Sequence, residues 1–236
     1  MKKLAIIPAF NEAGNIENVI KDLKENAPDF DFIVINDCSS DGTDDILRKI
    51  GCNYLNLPIN LGIGGCVQTG MKWSYRNNYD LTVQFDGDGQ HDAKYLNLLV
   101  EEMQKSGSDM VIGSRFIEKE GFQSYMIRRA GIKYFTILIK LLTGKKITDP
   151  TSGMRLMNRN LVKEYIDFYP KDYPEPESAV IALSKGYSIS EIPVIMHERN
   201  EGKSSINLKA GFYYMIKVTF AMINARIDRK NRQKKV

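Results

Sequence analysis

Five short apolar runs, separated by turns and by helix-periodic stretches, constrain this chain more than any other feature. Lys3-Leu4-Ala5-Ile6-Ile7, Phe30 to Ile35, Tyr54-Leu55-Asn56-Leu57, Leu81-Thr82-Val83-Gln84-Phe85 and Asp109-Met110-Val111-Ile112-Gly113 read as strands. Residues 16–23, 41–50, 63–76 and 96–103 carry helical patterns between them, the second with Ser40 or Asp41 placed to cap its first turn. Such alternation implies an α/β fold: a mostly parallel sheet with right-handed crossovers, flanked by helices. At 236 residues the chain can bury a sizeable core, and no internal repeat interrupts the pattern.

In an open α/β sheet, ligands bind beyond the carboxyl ends of the strands. The fourth run is followed there by Asp86-Gly87-Asp88-Gly89-Gln90-His91-Asp92. Two carboxylates held one residue apart by glycine can meet one hard cation, with Gln90 adding a neutral oxygen. Mg²⁺ and Mn²⁺ favour such oxygen ligands and bridge to substrate phosphates. The plainer alternative is a turn with solvated carboxylates. His91 either flanks this loop or joins a metal.

The usual phosphate-binding loops are absent. The turn after the first strand reads Pro8-Ala9-Phe10-Asn11-Glu12 rather than Gly-x-Gly-x-x-Gly, and there is no Gly-x-x-x-x-Gly-Lys-Ser/Thr P-loop. Gly62-Ile63-Gly64-Gly65 follows the third strand, where it either lets backbone approach a ligand closely or makes a tight strand-to-helix turn. Asp37, after the second strand, either accepts hydrogen bonds from a base or ribose or caps its turn.

The second half differs in character. Residues 127–143 and 207–223 are apolar on nearly every face, yet each falls short of the roughly 20 residues that span a bilayer. Such helices are buried in protein or lie at a membrane. Residues 187–196 alternate as a half-buried strand does. Pro174-Glu175-Pro176-Glu177 reads as a helix start, with proline in the first turn and acids near the positive dipole end. Trp73 is expected in the core, and His197 leads into the Arg199 loop.

The net charge of +4 is concentrated at one end. Residues 224–236 hold six basic residues and one acid, whereas the remainder has 27 basic residues against 28 acidic. The basic excess is a tail, suited to anionic lipid at about 1 kcal/mol per residue near such a surface. Without interleaved aromatics or a groove-reading motif, it does not suggest nucleic acid. Cys38, Cys52 and Cys66 show no metal spacing, and their odd number fits a reducing compartment. The N-terminal apolar run breaks at Pro8, so no signal peptide is expected. A cytoplasmic, peripherally membrane-associated protein is the expectation. A membrane-protein partner and a homo-oligomer both stay open.

Taken together, Pro8-Ala9-Phe10-Asn11-Glu12, Asn36-Asp37-Cys38-Ser39-Ser40-Asp41-Gly42-Thr43, Asn60-Leu61-Gly62-Ile63-Gly64 and Asp86-Gly87-Asp88 resemble family-2 glycosyltransferases of the GT-A (Rossmann-like) fold. Gly113-Ser114-Arg115, Asp149-Pro150-Thr151-Ser152-Gly153 and Arg199-Asn200-Glu201-Gly202-Lys203-Ser204-Ser205 resemble the branch that glycosylates dolichol phosphate and other polyprenyl phosphates. The chain departs from many members at Asn36-Asp37-Cys38-Ser39, where they carry Asp-Asp-Gly-Ser, and at Ile59, where they carry arginine. The resemblance implies a catalytic domain over residues 1–205, with a nucleotide-binding half (1–115) and an acceptor half (116–205). Residues 206–236 would then be an amphipathic, basic membrane-interface segment.

The resemblance also implies roles. Pro8, Phe10, Glu12 and Gly62 would line the nucleotide-sugar pocket, and Asp37 would hold the base. Asp86 would contact the nucleoside side of the donor and reach the metal. Asp88 and Gln90 would bind Mg²⁺ or Mn²⁺ beside the diphosphate. Arg115 and Arg128 or Arg129 would face phosphate oxygens, and Asp149 would lie near the reacting sugar. Arg199, Lys203 and Ser204 would sit on a loop closing over donor and acceptor phosphates. Asp149, Asp88 and Arg199 are thus the expected catalytic residues of an inverting, metal-dependent transfer from a UDP- or GDP-sugar to polyprenyl phosphate. A sugar-hydroxyl acceptor would need a general base, for which Asp149, Glu175 and Glu177 are candidates. A non-catalytic nucleotide-sugar-binding or scaffold protein is the alternative of another class.

Overall fold

The structure is a computed structural model that describes residues 1–118, 120, 126–197 and 208–233. Seven strands form one sheet: β1 (Lys3–Ala9), β2 (Phe30–Asn36), β3 (Tyr54–Asn56), β4 (Leu81–Gln84), β5 (Met110–Ser114), β6 (Arg155–Asn158) and β7 (Ile189–Pro193). Their order is β3-β2-β1-β4-β6-β5-β7. All neighbours are parallel except β6, which runs antiparallel to both β4 and β5. The chain moves outward from β1 through β2 to β3, then returns to place β4 on the other side of β1. That reversal opens a crevice at the carboxyl ends of β1 and β4.

Among the described residues, eight helices flank the sheet: α1 (Ile16–Asn26), α2 (Thr43–Ile50), α3 (Gly62–Arg76), α4 (Tyr95–Ser106), α5 (Met126–Thr143), α6 (Arg159–Asp167), α7 (Pro174–Ser184) and α8 (Leu208–Gln233). β1 shows why. Side chains alternate across a strand, so Ala5 and Ile7 pack with Val19 and Leu23 of α1, Leu47 of α2 and Leu99 of α4. Leu4 and Ile6 meet Val67 of α3, Phe135 of α5, Leu161 of α6 and Val180 of α7 on the other face. A strand covered on both faces needs apolar side chains at successive positions, which is why β1 is a continuous apolar run. Gly70 lets α3 settle on β1, since a Cβ there would lie 2.3 Å from Ile6 Cγ2.

Several expectations are adjusted by packing. Trp73 is 37% exposed rather than core, because the buried stripe of α3 runs through Cys66, Val67, Gly70, Met71 and Ser74 and leaves residue 73 outside it. The N-cap of α2 is Gly42 at φ +92°; Asp41, one residue earlier, accepts from Thr43 N at 3.1 Å. α7 starts at Pro174, as the Pro-Glu-Pro-Glu run indicates.

The two apolar helices are neither wholly buried nor wholly exposed. In α5, Ile132, Phe135 and Ile139 are buried while Tyr134, Ile137 and Leu141 are exposed. In α8, Val218 and Met222 are buried while Tyr213, Ile216, Phe220 and Ile227 are exposed. Among the described residues, no helix is long and apolar enough to cross a membrane. The expected boundary between residues 205 and 206 lies outside the described residues.

Candidate active site at the carboxyl edge of the sheet

The chain leaving β4 stays beside β1: Phe85 N donates to Ile6 O at 2.9 Å and Gly87 N to Pro8 O at 3.2 Å. Residue 87 must be small, because a Cβ would come within 2.9 Å of Pro8 O. Asp86 is half-buried, and its Oδ1 accepts from Gln84 Nε2 at 2.9 Å. Its Oδ2 fills the space that a side chain on Gly153 would take, 2.3 Å from an added Cβ. Asp86 N donates to Nδ1 of buried His91 at 3.2 Å, so this imidazole shapes the loop from beneath.

Asp88 is half-buried too, its Oδ1 accepting from Gln90 N at 3.1 Å across Gly89, which has φ +74°. Gln90 and His197 form a reciprocal pair, His197 N to Gln90 O at 2.9 Å and Gln90 Nε2 to His197 O at 3.2 Å. Among the described residues, no group of three or more His, Cys, Asp or Glu side chains is arranged to enclose a metal. The donor set is two carboxylates and an amide oxygen, of the kind that holds Mg²⁺ or Mn²⁺ together with substrate phosphates. The missing Cβ at Gly153 gives the Asp86 carboxylate the room this requires.

On the β1–β2 side the loops are zipped together by backbone amides. Asn11 N donates to Ser39 Oγ at 2.9 Å, Ser40 N to Asn11 Oδ1 at 2.9 Å, and Ala13 N to Asp41 Oδ2 at 2.9 Å. Asn11 and Cys38 adopt left-handed backbone, φ +56° and +60°, a conformation that non-glycine residues rarely take. Pro8 is buried beneath them, and Phe10 stands 50% exposed at the rim. Glu12 is buried, with Oε2 accepting from Asn15 Nδ2 at 2.8 Å.

Asp37 is 2% exposed, and its carboxylate accepts from Leu61 N at 2.7 Å and Gly62 N at 2.9 Å. It therefore caps the start of α3, where negative charge is favoured. Gly62 has φ +75°. Gly64 does permit a close approach, but of the chain itself: its N donates to Lys171 O at 3.1 Å, and a Cβ would meet Pro170 O at 2.0 Å.

On the β6–β5 side charges meet charges. Asp149 is fully buried, bound by Arg115 Nε at 2.6 Å, Nη2 at 2.8 Å and backbone N at 3.2 Å. Arg115 thus faces Asp149, and its Nη2 also reaches Thr151 Oγ1 at 3.0 Å. Glu191 of β7 accepts from Thr148 N at 2.8 Å and Asp149 N at 3.0 Å. Burial pushes the Glu191 carboxyl above its ordinary range, against the pull of those amides. Arg129 is exposed on α5. The side chain of Arg128, and Arg199, Lys203 and Ser204 entirely, lie outside the described residues.

Three polar residues that belong to none of the sequence motifs complete this side. Arg155 is 1% exposed and donates to Ser152 O at 2.8 Å, Pro150 O at 2.7 Å and Glu175 O at 2.6 Å. It ties the Asp149–Gly153 turn to the start of α7. Gln84 and Glu191 are the others. An arginine within Met154-Arg155-Leu156-Met157 and a glutamine within Leu81-Thr82-Val83-Gln84-Phe85 are polar interruptions of apolar strands, a signal visible in the sequence.

The two glutamates of α7 part company. Burial pushes Glu175 up, with the Asp86 charge adding to the rise and Arg155 opposing it. Glu177, also pushed up by burial, lines a cavity of about 330 Å³ with Gln68, Lys171, Asp172 and Lys217, whose walls include none of Asp86, Asp88 or Asp149.

The family model described as glycosyl transferase family 2 matches residues 4–166. The chain is 27% identical over 239 residues to a polyprenol monophosphomannose synthase of Mycolicibacterium smegmatis, spanning 97% of this chain and 89% of that protein. It is 28% identical over 209 residues to a UDP-N-acetylglucosamine–dolichyl-phosphate N-acetylglucosaminyltransferase of Methanococcus voltae, spanning 80% of this chain and 83% of that one. Among solved structures, the glucosyl-3-phosphoglycerate synthase of Mycobacterium tuberculosis with Mn²⁺, UDP-glucose and phosphoglyceric acid superposes with a TM-score of 0.75 at 16% identity, covering 95% of this chain and 79% of that one. At that identity the likeness speaks for the fold. Because the family match spans more than half of its length, the chain belongs to glycosyltransferase family 2 and is a glycosyltransferase of the GT-A fold.

Proposed function

We propose that this enzyme transfers a sugar, with inversion, from a UDP- or GDP-sugar to a polyprenyl phosphate at the cytoplasmic face of a membrane. One observation carries the choice of acceptor. Asp149, one candidate for a general base, is fully buried with both oxygens held by Arg115. A sugar hydroxyl needs a base at the site; a lipid phosphate is already anionic and does not. The names of the two relatives above support the same acceptor class and differ in the sugar.

In this reading Pro8, Phe10, Glu12, Asp37 and Gly62 form the nucleotide side. Asp86 and Asp88, with Gln90 Oε1, are the residues that would hold Mg²⁺ or Mn²⁺. When bound, the cation offsets the negative charge that builds on the departing nucleoside diphosphate. Arg128 or Arg129, Arg199, Lys203 and Ser204 bring donors and positive charge to the phosphates. The acceptor oxygen bonds to the anomeric carbon from the face opposite the leaving group, as the carbon–oxygen bond to the diphosphate breaks. Arg115 and Asp149, locked together, give that side of the pocket a fixed wall.

The exposed apolar residues Tyr134, Ile137 and Leu141 of α5 and Tyr213, Ile216 and Phe220 of α8, with the basic tail, form the membrane-facing side in this reading. Removing residues 224–236 should weaken binding to anionic vesicles, as should high salt. Unchanged binding would assign the anchor elsewhere.

The test of the reaction is a donor panel of UDP- and GDP-sugars with Mn²⁺, with and without polyprenyl phosphate, read by mass. A lipid-linked sugar from one donor establishes base, sugar and acceptor together. Donor binding without lipid product redirects the search to glycan acceptors. Binding without turnover on any acceptor favours a non-catalytic role.

A further inference from the structure

Gln84 is the last residue of β4 and is 1% exposed. Its Nε2 donates to Asp86 Oδ1 at 2.9 Å, and the same amide reaches the carboxyl of Glu175. Its Oε1 is buried and accepts no hydrogen bond. An amide with an unpaired buried oxygen does not keep its orientation on its own account. Turned over, it would point that oxygen at the Asp86 carboxylate, which would repel it. An –NH₂ group carries two hydrogens, and here a carboxyl group lies on either side to receive them. Glu175 is fixed in turn, because Arg155 holds its backbone oxygen at 2.6 Å and α7 begins at Pro174. On the far side of Asp86, Gly153 brings no side chain of its own, and Asp86 Oδ2 lies 3.7 Å from His91 Nε2.

We propose that Gln84 and Glu175 are positioning residues for Asp86: Glu175 orients the Gln84 amide, and the amide holds the Asp86 carboxylate toward donor and cation. This rests on the reading of Asp86 and Asp88 as the cation-holding pair. It assigns work to one buried and one half-buried side chain behind Asp86, and it links the register of α7 to the acidic loop.

The test is Mn²⁺ affinity of the full chain with UDP present, by calorimetry, with thermal midpoints recorded for every variant. Gln84→Met should weaken Mn²⁺ about 10- to 100-fold, the range for residues that orient metal-binding groups. Glu175→Met should weaken it less and in the same direction, while Glu175→Gln restores wild-type affinity. The double variant Gln84→Met/Glu175→Met should bind no worse than Gln84→Met alone, because the two act in series. Should Gln84→Met not fold, the contrast between Glu175→Met and Glu175→Gln carries the same test. Asp88→Ala separates the two failures. If it binds Mn²⁺ as well as wild type, the reading of the acidic pair falls. If it loses Mn²⁺ while Gln84→Met and Glu175→Met keep it, only the positioning proposal is overturned. Additive losses in the double variant would also overturn it.

Discussion

The two sides of the crevice are built differently. Toward β2, the loops after β1, β2 and β3 are held by backbone amides donating to short side chains: Asn11 to Ser39, Ala13 to Asp41, Leu61 and Gly62 to Asp37. Toward β5, the wall rests on buried charge: Arg115 on Asp149, Arg155 on three carbonyls, Glu191 on the amides of Thr148 and Asp149. Several modest bonds share the load on one side, so losing one is tolerable. On the other, a single deletion strands a charge in a medium that cannot solvate it.

That contrast can be broken most directly at Arg115. Arg115→Met leaves Asp149 buried without its opposite charge, with only the amide of residue 115 and the Thr151 hydroxyl to bind it, and should cost about 3–5 kcal/mol in urea unfolding. Asp37→Asn, on the opposite side, keeps one acceptor oxygen and should cost about 1–3 kcal/mol. Equal losses would erase the distinction. Between the two sides, Asp88→Asn should lower turnover by a hundredfold or more, roughly 3 kcal/mol of lost charge stabilisation, with the unfolding midpoint unchanged. Retained turnover would remove the acidic pair from the chemistry.

Two glycines sharpen the comparison at smaller magnitude. Gly64→Ala drives a Cβ to within 2.0 Å of Pro170 O, a backbone atom, so it should cost stability, about 1–3 kcal/mol. Gly153→Ala meets the Asp86 carboxylate at 2.3 Å, and a side chain can turn away; it should cost donor turnover more than stability. The reverse pattern would contradict the packing described here. The smallest effect is one of pH. The folded state raises the Glu191 carboxyl above its unfolded value, so it binds the proton more tightly than the unfolded chain. That contribution is fully present below about pH 4.5, the unfolded value, and is lost as pH rises through the folded one. Wild-type stability should therefore fall relative to Glu191→Gln as pH climbs from about 4.5, whatever constant offset the amide introduces. Parallel pH curves for the two proteins would count against it.

The same division separates what the sequence makes legible from what it hides. The strands through β5 and the acidic loop after β4 are legible, because they are local patterns: apolar runs, glycines, carboxylates at strand ends. β6 is not. Its four residues include Arg155, and its place between β4 and β5 depends on pairing Leu81 with Asn158 and Val111 with Leu156 across long separations. Asp149 is legible as a residue of interest, but its partner lies 34 residues earlier, and no local pattern records that. The glycines at 62 and 64 are legible as a close approach, while the Pro170–Lys171 segment that makes it is not. Trp73 misleads, because its apolar neighbours suggest a core position and the buried helical stripe passes it by.

The antiparallel strand has a consequence for how the molecule comes into being. β5 touches β6 and β7 but not β4. A growing chain that has emerged only as far as residue 115 holds β3, β2, β1 and β4 in order, with the outer edge of β4 bare and β5 lacking any neighbour. Residues 155–158 must leave the ribosome before that edge is closed, and residue 191 before the wall around Asp149 is braced. The β5 side of the crevice is thus finished last. A nascent chain held short of this point would present an open β edge to the cell, an invitation to mispairing.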